Sequence, residues 1–162
     1  IENVVGTGEV DYIVGSASAN TITGGAGIDY VTGGAGQDTF VFNTVVLAAN
    51  ATNITDMVGG NGGDFLQFDA ATFDAYTAGT AVAIGDVANN LTDANTILVD
   101  TVANVITAEV DTTQSAGTIF VASDTGAIYY DADGDFSAGA VIVGSITASE
   151  VADLLAVNFT IV

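Results

Sequence analysis

The chain of 162 residues has no lysine, arginine, histidine, cysteine, proline or tryptophan. Each absence excludes a class of function. Without a cationic side chain the protein cannot neutralise phosphates, which removes nucleic acid as a partner. Anionic membrane surfaces are not expected partners, on the same ground. Without histidine or cysteine there is no zinc site of the usual kind, no Ser-His-Asp triad and no thiol nucleophile. No apolar run reaches the length that spans a bilayer, so membrane insertion is not expected. The lack of cysteine fits a bacterial extracellular protein stapled by metal rather than by disulfides.

What is present conflicts with itself. Twenty acidic residues give a formal net charge of -20, yet 49% of the chain is hydrophobic, enough for a sizeable core. Self-repulsion at that charge opposes compaction, and no internal counter-ion exists to form a salt bridge. Positive charge must therefore come from solvent. Hard divalent cations suit carboxylate and carbonyl oxygens best, which makes Ca2+ the expected cofactor.

The glycines show where such ions would sit. Thirteen of the 20 lie in residues 1–63, and a nine-residue period accounts for them. In register the segments are GTGEVDYIV (6–14), GSASANTIT (15–23), GGAGIDYVT (24–32) and GGAGQDTFV (33–41). The last two match G-G-x-G-x-D-x-U-x at every fixed position. The first keeps Asp11, and the second carries Asn20 where the others have aspartate. The apolar column is Ile13, Ile22, Val31 and Phe40. Two perfect tandem repeats with flanking register argue against a plain glycine-rich linker.

These nonapeptides resemble those of the RTX (repeats-in-toxin) family of secreted bacterial proteins. The resemblance implies a parallel β-roll with calcium between stacked turns. The residues are compatible with it: each repeat reads as a glycine-rich turn followed by a short strand with one inward apolar residue. With two repeats per coil, Asp11 stacks on Asp29, Asn20 on Asp38 and Tyr12 on Tyr30. The expected calcium ligands are Asp11, Asn20, Asp29 and Asp38. The turns of Gly24, Gly25, Gly27, Gly33, Gly34 and Gly36 would contribute carbonyls. Four half-coils make a short roll that needs its neighbours for stability.

A further match, GGNGGDFLQ (59–67), falls out of phase, because Asp64 is not a multiple of nine residues from Asp38. It cannot continue the same roll without an excursion. It reads better as the segment that follows the repeats in RTX chains than as a fifth repeat. Asp56 and Asp64 are candidate ligands in either case. Residues 43–56 fit a short helix or a loop, and DAATFDAY and DVANNLTDAN fit helical turns. From residue 97 the pattern becomes strand-like, in TILVD, NVITAEV, GTIFVAS, GAIYYDAD and AVIVGSI, which predicts an antiparallel sheet closing the open end of the roll. The stretch from Thr125 to Ile146 resembles the C-terminal domain of RTX proteases and surface-layer proteins. Its turn holds Asp131, Asp133 and Asp135, for which a calcium site and a plain solvated hairpin both stay open. An EF-hand is excluded, because Gly134 is misplaced and Ile142 stands where a bidentate glutamate is required. Thr147 and Glu150 form a capping-box pattern ahead of a short helix. The ending NFTIV resembles the extreme C-terminus of type I secretion substrates, with Asn158 where an aspartate is often seen.

The expected fold is thus mainly all-β. A short parallel β-roll (1–42) leads through a connecting segment (43–69) to a β-sandwich-like C-terminal cap (70–162) with one or two short helices and a secretion signal. The opening Ile1-Glu2-Asn3 lacks an initiator methionine and the features of a signal peptide, so the chain reads as the tail of a longer protein or a processed product. The expected function is a calcium-dependent extracellular structural module at the bacterial cell surface. It would fold after secretion and self-assemble with copies of itself into a surface layer, filament or matrix, meeting the type I secretion machinery only in transit. The alternative is a non-catalytic secretion tail of a larger RTX exoenzyme, toxin or adhesin. Catalysis by this chain is not expected: only paired carboxylates could serve, and none stand apart from the ligand pattern.

Overall fold

The computed structural model describes residues 2–44, 47–73, 76, 78–79, 81–85, 96–101, 117–132 and 139–162. Its first part is a parallel solenoid. Strands β1 (Asn3–Val5), β3 (Thr21–Thr23), β5 (Thr39–Phe42) and β7 (Phe65–Phe68) build one face. Strands β2 (Tyr12–Ser16), β4 (Ile28–Gly34) and β6 (Ala51–Ile54) build the other. Each strand is short because a glycine-rich turn interrupts it, and each carries β-branched or aromatic residues that suit a half-buried pleat. The register follows the repeat: Tyr12 pairs with Tyr30 and Ile13 with Val31 on one face, and Val4 with Ile22 and Ile22 with Phe40 on the other.

The roll does not stop where the repeats stop. β4 pairs in parallel with β6, setting Asp29 beside Thr52, and β5 pairs with β7, setting Thr39 beside Phe65. The excursion expected around residue 59 is taken up by a longer coil: the step between coils grows from 18 residues to 23 on one side and 26 on the other. The GGNGGD strand therefore enters the same sheet as the repeats. The segment 43–56, expected as helix or loop, contributes β6.

The C-terminal part extends both faces. β13 (Phe159–Ile161) adds to β7 in parallel and ends the five-stranded sheet. β12 (Val141–Ser145) adds to β6 in parallel. It is followed by the antiparallel partners β11 (Ala127–Asp131) and β10 (Thr118–Ala122), and by β9 (Thr96–Asp100) and β8 (Ala83–Gly85) in parallel. The expected antiparallel closure is thus carried by β10 to β12. NVITAEV and DVANNLTDAN lie outside the described residues.

One core runs through roll and cap, from Ile22, Val31 and Phe40 to Ile119, Ile128 and Ile161. Phe42 stacks on Phe68 at 4.9 Å between centroids, and Phe73 bridges Phe68 and Tyr130 edge-on at 5.1 Å each. Each such side chain contributes about 1.5–3 kcal/mol by burial, so the cap stabilises the short roll directly. Within the cap, Tyr76 ties β9 to β10 by accepting from Ile119 N and donating to Thr96 O, both at 2.9 Å.

The helix α1 is a single turn, Ala148–Val151. Thr147 occupies its N-cap, but the expected capping box does not form, because the Thr147 side chain makes no cap bond. In so short a helix the Thr147 carbonyl takes the Glu150 N–H at 2.9 Å instead. Among the described residues no helix is long and apolar enough to cross a membrane.

Candidate metal centre

The turns stack in two rows. In one, turn 6–11 lies over turn 24–29, and β6 supplies the next rung. In the other, turn 15–20 lies over turn 33–38, which lies over turn 56–64. Each row is tied by the aspartates themselves. Asp29 Oδ1 accepts the backbone N–H of Asp11 at 2.9 Å, Asp38 Oδ1 that of Asn20 at 2.7 Å, and Asp64 Oδ1 that of Asp38 at 2.8 Å. These three carboxylates thus reach back one coil and fix the stacking that the repeat spacing predicts.

The second oxygen separates these residues. Asp11 Oδ2 accepts from Thr7 N at 2.6 Å and Thr7 Oγ1 at 2.9 Å. Asp64 Oδ2 accepts from Val58 N at 2.8 Å. Asp29 Oδ2 and Asp38 Oδ2 are buried and meet no donor, an arrangement costing a few kcal/mol each for an anionic oxygen unless a cation compensates. Burial pushes the Asp29 carboxyl above its ordinary range, against the Asp11 N–H bond, and the nearby Asp11 charge pushes the same way. Burial likewise raises Asp64, opposed by its bonds from Asp38 and Val58.

Glycine is required where the coils touch. Gly25 and Gly34 adopt φ of 104° and 101°, and a Cβ on them would overlap the carbonyl oxygens of Thr7 and Ser16 one coil back. Gly27 and Gly36 share the positive φ, and a Cβ on Gly27 would lie 2.7 Å from Glu9 O. Gly24 O and Gly33 O point the other way, toward Gly6 and Gly15 of the preceding coil. Carbonyls from both coils therefore face the same gap as the carboxylates. No three acidic side chains converge among the described residues, so a cation held here would need those carbonyls to complete its shell, as a hard ion with six to eight oxygen ligands does. The donor set of carboxylate and carbonyl oxygens, with two buried oxygens left over, fits Ca2+.

The other predicted residues take different places. Asp56 spends both oxygens on turn 33–38, accepting Gly33 N and Gly34 N at 2.8 Å each. Asp131 is buried at the end of β11. Asp133 and Asp135 lie outside the described residues. Asn20 is buried but presents its amide nitrogen to the gap. Three residues had no signal in the repeat pattern because their spacing is not a multiple of nine. Thr52 takes the rung below Asp29. Thr44 Oγ1 donates to Gly25 O at 2.9 Å, and Asn50 Oδ1 accepts Gly27 N at 2.9 Å. Asn158 joins the C-terminal end of the chain to turn 56–64. It is buried and makes four bonds, accepting Gly60 N and Leu155 N and donating to Gly60 O and Asp64 O at 2.8–3.1 Å.

Residues 5–40 match the family model of the RTX calcium-binding nonapeptide repeat, in four copies. No curated protein matches the chain. The stacked turns and the matched segment together define a calcium-binding β-roll. The segment is an RTX repeat region, and Ca2+ is the ion such repeats bind.

Proposed function

We propose that this chain is a calcium-folded extracellular structural module. In this reading Asp11 and Asp29 Oδ1, with the Glu9 and Gly24 carbonyls, hold Ca2+ between turns 6–11 and 24–29, and Asp29 Oδ2 is left for the gap on the Thr52 side. Asp38 and Asp64 do so between turns 33–38 and 56–64, and Asp56 orders the upper of these two turns. The other turn glycines permit the close approach of the coils. The observation that carries the reading is the pair of buried carboxylate oxygens, Asp29 Oδ2 and Asp38 Oδ2, that no protein donor reaches. Bound calcium supplies positive charge and a rigid oxygen shell; the chain supplies the stacked turns that place the oxygens. No residue has a catalytic role in it.

The module acts at the bacterial cell surface by assembling with copies of itself, after export through the type I secretion route. This is supported by an unusual outer face. Tyr12 and Val14 on the edge strand β2 are 78% and 66% exposed, and Tyr12 stacks on Tyr30 at 5.1 Å. Contacts between copies cannot use salt bridges, because the chain has no cation, so apolar contact and bridging calcium are the means left. Electron microscopy and sedimentation of the purified chain, in calcium and in chelator, test this. Ordered polymers that dissolve on chelation are expected. A calcium-folded chain that stays monomeric would instead favour the secretion-tail reading.

A further inference from the structure

The second repeat departs from its neighbours, and the departure falls on the atom that faces the metal gap. We propose that Asn20 closes the gap between turns 15–20 and 33–38 with its own carboxamide, in place of a calcium ion, so that this rung of the roll forms without metal. Asn20 is 2% exposed. Its Nδ2 donates to Asp38 Oδ1 at 2.9 Å, to Gly33 O at 3.3 Å, and closely to Ser18 O. Shifted by one repeat, those three acceptors are Asp29 Oδ1, Gly24 O and Glu9 O, the oxygens that would surround the ion between turns 6–11 and 24–29. The amide hydrogens therefore occupy the place that a cation would take one half-coil away.

The orientation of the amide is set by chemistry. Asp38 Oδ1, Gly33 O and Ser18 O can only accept, so reversing the amide would set Oδ1 against three acceptors. In the orientation found, Oδ1 accepts from Ser16 Oγ at 3.3 Å. Asn20 N also donates to Asp38 Oδ1, so one residue binds the carboxylate twice. This leaves Asp38 Oδ2 for the gap below. The repeat thus uses aspartate where an ion is held and asparagine where the protein provides the donor. One rung is pre-formed at low calcium, against which the loaded rungs can stack.

The proposal rests on the calcium reading given above, and the two fail differently. Bound calcium per chain is counted by native mass spectrometry and isothermal titration for the parent, Asn20→Asp and Asn20→Ala. Asn20→Asp is expected to bind one ion more than the parent. Asn20→Ala is expected to bind the same number as the parent and to melt at lower temperature both in calcium and in chelator. The proposal is overturned if Asn20→Asp gains no ion, or if Asn20→Ala loses one. Should Asn20→Asp not fold, Asn20→Ala decides alone. A parent chain that binds no calcium would sink the calcium reading and this proposal with it.

Discussion

Asp38→Asn separates a metal ligand from a structural acceptor by the sign of its effect. Asp38 Oδ1 accepts from Asn20 N at 2.7 Å and Asn20 Nδ2 at 2.9 Å, and an asparagine oxygen keeps both bonds. The new amide nitrogen then falls at the position of Oδ2, which is fully buried, lies beside Gly33 and has no donor. Without calcium the substitution removes a buried anionic oxygen, and it should stabilise the fold by about 1–3 kcal/mol. With calcium it removes a charged ligand, and the affinity of that ion should fall at least about tenfold, or about 1.4 kcal/mol. Denaturant unfolding followed by circular dichroism, in chelator and in millimolar calcium, reads both effects on one variant. The predicted result is a higher midpoint than the parent in chelator and a lower one in calcium. Equal destabilisation in both conditions would mean instead that Asp38 acts only as a hydrogen-bond acceptor.

Further outcomes follow from other parts of the site. Asn158→Asp should destabilise the chain by about 3–5 kcal/mol, since a carboxylate cannot donate to Gly60 O and Asp64 O and is left buried against them; thermal melts in calcium would show a loss far larger than for an exposed Asn→Asp change. Gly25→Ala should cost about 2–4 kcal/mol, because φ is 104° and the new Cβ would overlap Thr7 O; chemical unfolding measures it. The pH dependence should reverse with calcium. Burial raises Asp29 and Asp64 above the ordinary carboxylate range, so the metal-free fold binds protons more tightly than the unfolded chain. Its stability should rise as pH falls from neutral toward about 4, and be lost as pH rises through the raised values. In calcium those carboxylates must be ionised, and acid should destabilise the fold; melting temperatures at a series of pH values check both slopes.

The repeat region was legible because its chemistry has a fixed period. Glycine at the turns, an apolar residue at every ninth position and aspartates 18 apart leave one way to stack the chain, and the Tyr12–Tyr30 pair and the buried Ile22, Val31 and Phe40 follow from it. Legibility ended where the period broke. A coil lengthened to 23 and 26 residues cannot be read as a repeat, although the sheet tolerates it, because parallel pairing needs only strands of matching direction and side-chain phase. Thr52, Thr44 and Asn50 took their places through that longer coil, and no motif marks them. The capping pattern at Thr147 misled for a different reason: the side-chain bond it promises needs a helix longer than one turn to be worth ordering. Asn20 and Asn158 show the same limit. Each differs from an expected aspartate by one donor group, and only the packed neighbours reveal carbonyl oxygens that need it.

Calcium supplies the positive charge this chain lacks, and one titration tests that directly. Far-ultraviolet circular dichroism of the full chain, followed from chelator through millimolar calcium, should show strand signal rising in a cooperative step above that of the less stable metal-free fold. The same amount of magnesium should fail to produce it, since the smaller ion dehydrates reluctantly and demands near-ideal octahedral geometry. Spectra that are the same in chelator and in calcium would show that calcium does not drive the folding of this chain.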